Sequence, residues 1–392
     1  MFHTSLEDII RRLFICLLVC SSHYSVAQDV VKIVVDPNGV QTGECKLSDL
    51  AESIEYIPLE TNDKCLIGYV LFFDISENYI VIYCNKSKLI YLFHRTGRFI
   101  CQVGEYGEGS REYLHVDGLF IDEKKKRIIV ISATAKKQLN YDLNGNFISS
   151  IEIKDKGSCM RLHNNRFLVK TNNYNGNVPF AYEIRDMNLQ LVAEAVKTVP
   201  FERGRLTMLH GRPCNYLYNN KIHVKELTFN DTVYLIGEDN FFEPKYVINT
   251  GKYEVTADLY RIDDPSEMFD QLDKHASIRN IYETKDKLFV YYLYENSDVY
   301  CYHDKNTQKL LHFKSNKGIP NDYDGGLDFW PERQDNQYWY AFYDAHLFED
   351  ELKEKKKETL KGGVNAIRLF DQFRKKLDSD DNPVLVIVKT KK

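Results

Sequence analysis

Short runs of β-branched and aromatic residues, separated by polar turns, recur along most of the chain. The 30 residues from 71 to 100 return 48 positions later as residues 119 to 148. A repeat of this length built from β-rich runs predicts stacked or radially arranged supersecondary units. The positions identical in both copies are Leu71/Leu119, Phe72/Phe120, Asp74/Asp122, Ile80/Ile128, Lys88/Lys136, Gly97/Gly145, Phe99/Phe147 and Ile100/Ile148.

Each copy of the repeat is typical of four strands joined by short turns. In the first copy Ser76–Asn78 and Arg95–Gly97 are the turns, and Gly97 supplies the positive φ that a tight turn needs. The second copy runs from Val116 to Ile153 on the same plan. Four antiparallel strands make one blade of a β-propeller. The strands predicted for the first copy are Tyr69–Asp74, Tyr79–Cys84, Leu89–His94 and Arg98–Val103.

Weaker units of the same kind continue towards the C terminus. The sequence therefore predicts an all-β fold, a six-bladed β-propeller of four-stranded antiparallel blades. The third unit contains Arg166–Lys170, Tyr182–Arg185 and Leu189–Ala193; the fourth contains Tyr216–Tyr218, Lys221–Val224, Thr232–Ile236 and Tyr246–Ile248. The fifth contains Asn280–Glu283, Lys287–Tyr292, Asp298–Tyr302 and Lys309–Phe313; the sixth begins near Leu327 and continues with Gln337–Phe342 and Val384–Lys389.

A ring of blades must close, and an unpaired edge strand would be a liability. We expect Ile54–Leu59 to complete the last blade by pairing with Val384–Val388. A helical insertion is predicted at about 345–378, broken at Gly362-Gly363, and the Lys355–Lys357 run within it is expected to be a solvated face. Its apolar stripe, expected to pack on the blade, consists of Ile367, Leu369, Phe370 and Phe373. The predicted domains are a signal peptide (1–28), a lead-in (29–52) and the propeller (53–392).

The first 28 residues are typical of an export signal. Arg11 and Arg12 precede the apolar stretch Leu13–Val19, and Ser25-Val26-Ala27 offers a small-residue cleavage site. The apolar stretch is too short to span a bilayer. Cleavage near Ala27 is the preferred interpretation, and lipid attachment at Cys20 is the alternative. Both place the mature protein in the periplasm or at the cell surface.

Composition supports a folded β protein and excludes some partners. Aromatic residues make up 13% of the chain, led by 27 Tyr and 22 Phe, which fit pleated strands. The net charge of −5 is spread through mixed segments without a basic stripe, so a nucleic-acid partner is not expected. Seven of the nine cysteines follow the signal, an odd number without C-x-x-C spacing, and we interpret them as small buried hydrophobes.

Several segments form an ordered series along the chain: Glu55–Thr61, Phe93–Phe99, Gly104–Tyr113, Asn230–Tyr234, Asn321–Gly326 and Asn382–Val384. This series resembles the six-bladed, NHL-like β-propeller proteins exported by Bacteroidetes, a domain family of unknown function. Ser110 departs from that pattern, in which proline usually follows the third glycine. The resemblance implies a periplasmic or surface-exposed protein and no established activity.

The glycine-rich segment Gly104–Tyr113 carries G-x-x-G-x-G but is not expected to bind phosphate. A phosphate loop must lead into a helix, whereas this segment leads into a strand near His115. We interpret it as the crossing from one blade to the next, where glycine permits close backbone approach. Such crossings lie on the face where propeller ligands usually bind. The side chains best able to reach a ligand there are Arg111, Glu112 and Tyr113.

A second candidate segment, Asn321–Pro331, is rich in acidic residues and glycine. Asp322 and Asp324 could hold Ca²⁺ and Trp330 could stack on a sugar ring, but the ligand spacing of an EF-hand is missing. A turn stabilised by Asp and Asn side chains is the simpler interpretation. No metal, cofactor or catalytic residue is assigned, because the sequence contains neither H-E-x-x-H nor G-x-S-x-G.

Two functions remain open. The leading hypothesis is an exported non-enzymatic binding or scaffold protein that uses one propeller face for a glycan, peptide or protein partner. The alternative is a propeller hydrolase or lyase, lactonase-like or glycan-active, with a carboxylate or metal site at the central channel. Propeller enzymes gather their residues from several blades, so spacing would not reveal them. The side chains at the channel mouth distinguish the two hypotheses.

Overall fold

The computed structural model describes residues 30–392 apart from 40, 154–156, 172, 174–175, 199, 201–213, 227–228 and 355–358. The predicted signal segment, with Cys20 and Ala27, lies outside the described residues, as does the Lys355–Lys357 run. Strands β1 (Val31–Val34) and β2 (Ala51–Pro58), separated by the short helix α1 (Leu47–Leu50), precede the repeats.

The two repeat copies fold as two four-stranded antiparallel sheets with the predicted plan. The strand bounds agree with the prediction to within one residue in the first copy, because turns and alternating apolar positions are both well marked there. The first sheet contains β3 (Val70–Ile75), β4 (Tyr79–Cys84), β5 (Leu89–His94) and β6 (Phe99–Gln102). The second contains β7 (Gly118–Asp122), the 3₁₀ turn η1 (Glu123–Lys125), β8 (Arg127–Ser132), β9 (Lys137–Asp142) and β10 (Phe147–Glu152).

The third and fifth units are also four-stranded antiparallel sheets, and the fourth and last units contribute strands to a larger sheet. The third contains β11 (Gly157–His163), β12 (Arg166–Thr171), β13 (Phe180–Arg185) and β14 (Leu191–Lys197), and the fourth β15 (Cys214–Tyr218), β16 (Lys221–Lys225), β17 (Thr232–Ile236) and β18 (Phe242–Asn249). After η2 (Gly251–Tyr253), η3 (Ala257–Arg261) and helix α2 (Pro265–Asp273), the fifth contains β19 (Ser277–Glu283), β20 (Lys287–Tyr294), β21 (Ser297–Asp304) and β22 (Lys309–His312). The last contains β23 (Arg333–Asp335), β24 (Tyr338–Tyr343), helices α3 (Leu347–Glu354) and α4 (Gly363–Arg374), and β25 (Val384–Thr390).

Four of the sheets are separate four-stranded blades, so the prediction of six separate blades is wrong. The remaining strands form one nine-stranded sheet in the order β1-β18-β17-β16-β15-β23-β24-β25-β2. The two inner strands β15 and β23 meet through a single parallel pair, Leu217 with Asp335, which makes the sheet continuous. Strand β1, which was expected only as a lead-in, pairs in parallel with β18 as an added outer strand.

The predicted closure by the two ends of the chain is confirmed. Strand β2 pairs antiparallel with β25 in the expected register, Ile54 opposite Val388 and Pro58 opposite Val384. This pairing places β2 at the outer edge of the nine-stranded sheet, beside β25 from the C-terminal segment. The first and last parts of the chain therefore depend on each other for backbone pairing.

The apolar core lies between neighbouring sheets, as in a propeller. Separate clusters of buried residues fill the successive interfaces: Ile57, Ile80 and Leu385; Val81, Leu119 and Val130; Phe120, Ile129 and Phe167; and Leu168, Leu217 and Val224. A larger cluster around Phe289 and Trp339 joins β19–β22 to the nine-stranded sheet. Burial on both sides of each sheet explains the nearly continuous apolar runs in β4 and β8.

The helical insertion covers one part of this core. Phe370 and Phe373 of α4 pack on Tyr56 of β2, with ring centroids 4.9 and 5.0 Å from the tyrosine. Leu369 is instead more than half exposed, so only part of the predicted apolar stripe packs on the sheet. No helix in the described ranges is long and apolar enough to cross a membrane.

The repeated glycines join successive sheets. Gly97 and Gly145 both have positive φ. The carbonyl of Gly97 accepts the backbone N–H of Glu60, and the carbonyl of Gly145 accepts that of Gly104. Glu60 and Gly104 each follow the outer strand of the preceding sheet. A Cβ on Gly97 would lie 2.1 Å from the carbonyl oxygen of Pro58, and one on Gly145 would lie 2.2 Å from that of Gln102. These glycines therefore repeat because each turn presses on the backbone of the preceding sheet.

We expect Gly97→Ala to lower the free energy of unfolding by about 2–4 kcal/mol, since left-handed strain and backbone overlap add together. The matched control is Gly251→Ala, which also has positive φ but meets nothing within 4 Å. The control should cost only about 1 kcal/mol of strain. Urea unfolding of both variants tests this, and equal losses would contradict the packing role assigned to Gly97.

Candidate functional site

The two ends of the ring differ because strands alternate in direction. The hairpins that join first to second and third to fourth strands, such as the Asn219-Asn220 turn and residues 284–286, lie at one end, here called the turn side. The links from one sheet to the next, such as residues 103–117 and 313–332, lie at the other end, the crossing side.

A charged cluster lies where the inner strands converge. Arg333 of β23 donates through Nη2 to Asp74 of β3 (2.8 Å), through Nε to Asp335 (2.7 Å) and through Nη1 to the carbonyl of Phe73 (3.1 Å). Arg161 of β11 donates to the other oxygen of Asp335 and, through Nε, to Oδ1 of Asn215 in β15 (2.8 Å). We call these residues, with Gln334, the axial cluster.

The axial cluster reaches all six inner strands. Asp74 accepts the backbone N–H of Ile121 in β7 (2.7 Å). The side-chain amide of Gln334 accepts from the backbone N–H of Glu283 (2.8 Å) and donates to its carbonyl (2.6 Å), which adds β19. Burial alone would raise the pKa of Asp335, but Arg333 and Arg161 hold it at about 2. Its carboxylate is therefore permanently ionised and committed to two arginines.

We expect Arg333→Met to cost about 3–5 kcal/mol of unfolding free energy, because it leaves Asp74 without its charged partner in a buried site. Arg95→Met is the control, since it removes an arginine paired with Glu55, whose side chain is 58% exposed. Such a surface pair contributes about 0–1 kcal/mol. Denaturant unfolding of the two variants measures the difference, and similar losses would disprove the central role of Arg333.

A second buried cluster surrounds Glu283 at the turn-side end of β19. Its carboxylate accepts hydrogen bonds from Lys305 Nζ (2.7 Å), Lys245 Nζ (3.0 Å), Tyr246 Oη (2.7 Å) and Tyr216 Oη (3.0 Å). These donors come from three different sheet positions, β15, β18 and the β21–β22 turn. The Glu283 cluster therefore ties the fourth and fifth units together around one carboxylate.

His223 completes the Glu283 cluster. Its ring stacks on Tyr216 with centroids 4.6 Å apart, and its Nε2 lies 3.2 Å from Lys245 Nζ. Burial lowers the pKa of His223 to about 3, so the imidazole is neutral near pH 7. Burial would raise the pKa of Glu283, yet Lys245 and Lys305 lower it to about 2. Neither group is set to exchange a proton near neutral pH.

Glu283→Gln should remove a stabilisation that is fully present above pH 4.5 and lost as the pH falls towards 2. The sign follows because the folded pKa of about 2 lies below the ordinary value of 4.5. The difference between wild type and variant should reach about 3 kcal/mol at neutral pH. Unfolding curves between pH 2.5 and 7 measure it, with Glu55→Gln as an exposed control. A difference that stays constant with pH would refute the assignment.

A polar cleft of about 320 Å³ lies on the turn side between the third and fourth units. Arg166 and Lys221 supply its cationic groups, Glu238 supplies a carboxylate, and His163 lies at its inner end. Arg166 donates to the side-chain oxygen of Asn240. Four side-chain amides line the cleft, those of Asn164, Asn219, Asn220 and Asn240. Phe241, which follows Asn240 in the chain, is 69% exposed. We call this the turn-side cleft.

The predicted crossing-side residues of the first link are largely engaged in the loop itself. Tyr113 is fully buried and accepts the backbone N–H of Ile90 (3.1 Å), and Glu112 accepts the N–H of Gly109 (2.8 Å). Arg111 is exposed, with its guanidinium 5.6 Å from the centre of the Phe147 ring. The segment leads into β7 rather than a helix, as expected for a crossing.

The second predicted segment lies on the same side and is mostly buried. Asp322 accepts the backbone N–H (3.0 Å) and hydroxyl (2.9 Å) of Ser48, and Asp324 accepts from Tyr56 Oη (3.0 Å). Trp330 packs against the ring of Tyr300 at 4.7 Å. Asp322 and Asp324 thus fasten α1 and β2 to this link. A ligand role for Arg111, Glu112, Tyr113, Asp322, Asp324 and Trp330 stays a prediction.

The titratable residues that could hold a metal are dispersed. Over the described ranges, no three His, Cys, Asp or Glu side chains are grouped so as to bind a metal ion. The seven cysteines after the signal are all free thiols, and six of them are buried. Burial raises the pKa of Cys159 to about 12 and that of Cys214 to about 11. A thiol with a raised pKa is a poor nucleophile, which agrees with the interpretation of Cys159 and Cys214 as core residues.

Sequence reasoning did not find the axial cluster, the Glu283 cluster or the turn-side cleft. Arg161 and Asp335 are 174 positions apart, and Glu283 lies 67 positions from Tyr216. The available signal was charge inside strand patterns: Arg161, Lys245 and Glu283 each lie directly beside apolar or aromatic strand residues. Buried charges in strands require partners, so such positions are candidates for a shared network.

Face-to-face packing of four-stranded antiparallel sheets around converging inner strands defines a β-propeller-like protein. The chain belongs to the family described as Domain of unknown function (DUF4934), whose model matches residues 30–389. No functionally curated protein matches the sequence.

Two solved structures are similar to this chain. One is a protein of Bacteroides fragilis NCTC 9343 that is named for its expected export, with 18% identity and a TM-score of 0.68 over 93% of this chain and 100% of that chain. Another is a member of the DUF4221 family from Bacteroides vulgatus, with 9% identity and a TM-score of 0.49 over 87% of this chain and 97% of that chain. At 18% identity the first structure shows that the fold is shared and nothing more. A TM-score of 0.49 is too low for any inference from the second structure.

Proposed function

We propose that this protein is an exported binding protein without catalytic activity of its own, and that it binds a glycan in the turn-side cleft. The observation that carries the proposal is the chemistry of that cleft, in which four side-chain amides and two cations surround about 320 Å³ of space. Amides both donate and accept hydrogen bonds, which suits the hydroxyl groups of a sugar. The exposed ring of Phe241 offers a stacking surface beside them.

The channel chemistry supports binding over catalysis. Asp335 is paired with Arg333 and Arg161, and Asp74 is paired with Arg333. A carboxylate with a pKa near 2 cannot act as a general acid at neutral pH, and the buried His223 is occupied by Lys245 and Tyr216. A channel lined by arginines bound to carboxylates does not favour the hydrolase or lyase alternative.

We further infer that the ring has six blades, with the nine-stranded sheet contributing two of them. The inner strands β15 and β23 share a single residue pair, whereas the antiparallel pairs on either side of them extend over three to five pairs. Each half of the nine-stranded sheet also contains four strands in order from the inner to the outer strand, β15-β16-β17-β18 in one half and β23-β24-β25-β2 in the other. These facts support two blades that touch at the axis rather than one continuous structural unit.

Export to the periplasm or cell surface is part of the proposal. The signal-like segment 1–28 supports it, as does the name of the Bacteroides fragilis structure. Cleavage near Ala27 would release a soluble chain, and lipid attachment at Cys20 would anchor it to a membrane. Mass spectrometry of the mature N terminus separates the two outcomes.

The function is tested by glycan-array binding of the purified protein, with neutral and uronate-containing glycans as probes. We expect selective binding, with uronates preferred because Arg166 and Lys221 outnumber the single carboxylate of Glu238 in the cleft. The double variant Arg166→Ala/Lys221→Ala should lose at least about tenfold in affinity, in line with the loss of charged hydrogen bonds.

The control variant is Lys285→Ala, which removes an exposed lysine of the β19–β20 turn, on the same side but outside the cleft. Its binding should equal that of the wild type. The proposal is wrong if the array shows no selective binding, or if the double variant and the control bind alike.

A further inference from the structure

A separate cavity of about 220 Å³ lies on the crossing side of the fifth unit. Its walls come from η3 and α2 on one side and from the start of β19 and the β20–β21 turn on the other. Asp264 caps α2 by accepting the N–H of Glu267 (2.9 Å), and Pro265 begins the helix, so this wall is a defined element. The lining includes two tyrosines, Tyr260 and Tyr294, and the other polar side chains are those of Asp273, His275, Ser277, Arg279, Glu295 and Asn296.

Arg279 is directed to the cavity by a break in strand register. β19 pairs regularly with β20 except between Ile278 and Asn280, so Arg279 has no partner in the ladder. The inner strands β3 and β11 have the same irregularity at Leu71 and Met160. Those two residues are apolar and pack against core clusters. A bulge of this kind re-aims one side chain, and in β19 that side chain is an arginine.

The guanidinium of Arg279 lacks a partner among the described residues. Its Nε is buried without a hydrogen-bond acceptor, and the group forms no ion pair within the described ranges. The nearby Asp298 instead accepts from Tyr291 Oη (2.7 Å). Burial lowers the pKa of Arg279, because desolvating the guanidinium outweighs the opposing effects of the nearby Tyr291, Tyr260 and Asp298. By contrast, the buried Arg161 and Arg333 are fully engaged with carboxylates, amides or carbonyls.

The rest of the cavity offers complementary groups. Asp273 and Glu295 supply two carboxylates, of which Asp273 also accepts from Asn296 Nδ2 (2.7 Å). Phe269, Leu272 and Leu293 supply apolar wall. One unpaired cation, two carboxylates and an apolar wall in a single cavity fit a small zwitterion with an apolar side chain. The volume equals about seven water molecules, which suits a single amino acid.

We propose that this cavity is a binding site for a free α-amino acid with an apolar side chain. Arg279 holds the ligand carboxylate, Asp273 and Glu295 attract its ammonium group, and Phe269, Leu272 and Leu293 contact its side chain. The site is distinct from the turn-side cleft and does not depend on glycan binding there.

The test is isothermal titration calorimetry of the purified protein with L-leucine and L-phenylalanine. The matched probes are 4-methylpentanoate, which is leucine without its ammonium group, and 3-methylbutylamine, which is leucine without its carboxylate. We expect at least one amino acid to bind, and each matched probe to bind at least about tenfold more weakly than leucine, since each loses a charged hydrogen bond.

The variant Arg279→Leu places at this bulge the residue type found at Leu71. It should bind the amino acid at least tenfold more weakly, and in the absence of ligand it should unfold at the same or a higher temperature than the wild type. The gain is expected because an unpaired buried N–H is removed. A purely structural role for Arg279 would instead lower the unfolding temperature.

Arg261→Leu is the control, because Arg261 lies in η3, is more than half exposed and pairs with Asp258 (3.0 Å). It should leave binding unchanged. The proposal is overturned if neither amino acid binds, if both matched probes bind as tightly as leucine, if Arg279→Leu binds like the wild type, or if Arg279→Leu is destabilised.

Discussion

The structure depends on how the inner strands are satisfied where they meet. The inner strands β3, β7, β11 and β19 are edges of their sheets, and β15 and β23 share only one residue pair, so these strands have N–H and C=O groups that face the axis without a neighbouring strand. The axial cluster fills that gap: Arg333 bonds the carbonyl of Phe73, Asp74 bonds the N–H of Ile121, and Gln334 bonds both backbone groups of Glu283. Charged and amide side chains thus act as a substitute for strand pairing at the centre.

This arrangement also limits what the centre can do chemically. A catalytic centre needs groups whose protonation or coordination can change during a reaction. Asp335 is held by two arginines, and Glu283 is held by two lysines and two tyrosines. Strong mutual pairing makes these groups structural, whereas the turn-side cleft and the Arg279 cavity, at the two ends of the ring, have polar groups facing open space.

The sequence was sufficient for the parts of the fold that depend on local patterns. The 48-residue repeat predicted four-stranded units, and the apolar run Val384–Val388 predicted the partner of β2. The sequence was insufficient where an element is short or polar. Strand β23 has only three residues, Arg333–Asp335, and the unit that it opens was predicted to begin earlier, near Leu327. Strands β15 and β23 join through a single residue pair, and no periodic pattern in the sequence predicts that pair.

The candidate sites were harder to predict for a related reason. Glycine-rich and acidic links such as Gly104–Tyr113 and Asn321–Pro331 attract notice in a sequence, yet Tyr113, Asp322 and Asp324 are used to fasten neighbouring segments. Arg279 carries no motif, and only the register break in β19 reveals its direction. Local composition identifies the links between sheets. Whether a side chain is available to contact a ligand depends on the three-dimensional packing around it.

The pairing of β2 with β25 has a consequence for the order of folding. A polypeptide is made from its N terminus, so β2 is made more than 320 residues before its partner β25. Until then β2 has no strand to pair with, and the long loop that closes between them carries the largest entropic cost of any contact in the chain. Ring closure therefore has to wait until β25 has been made.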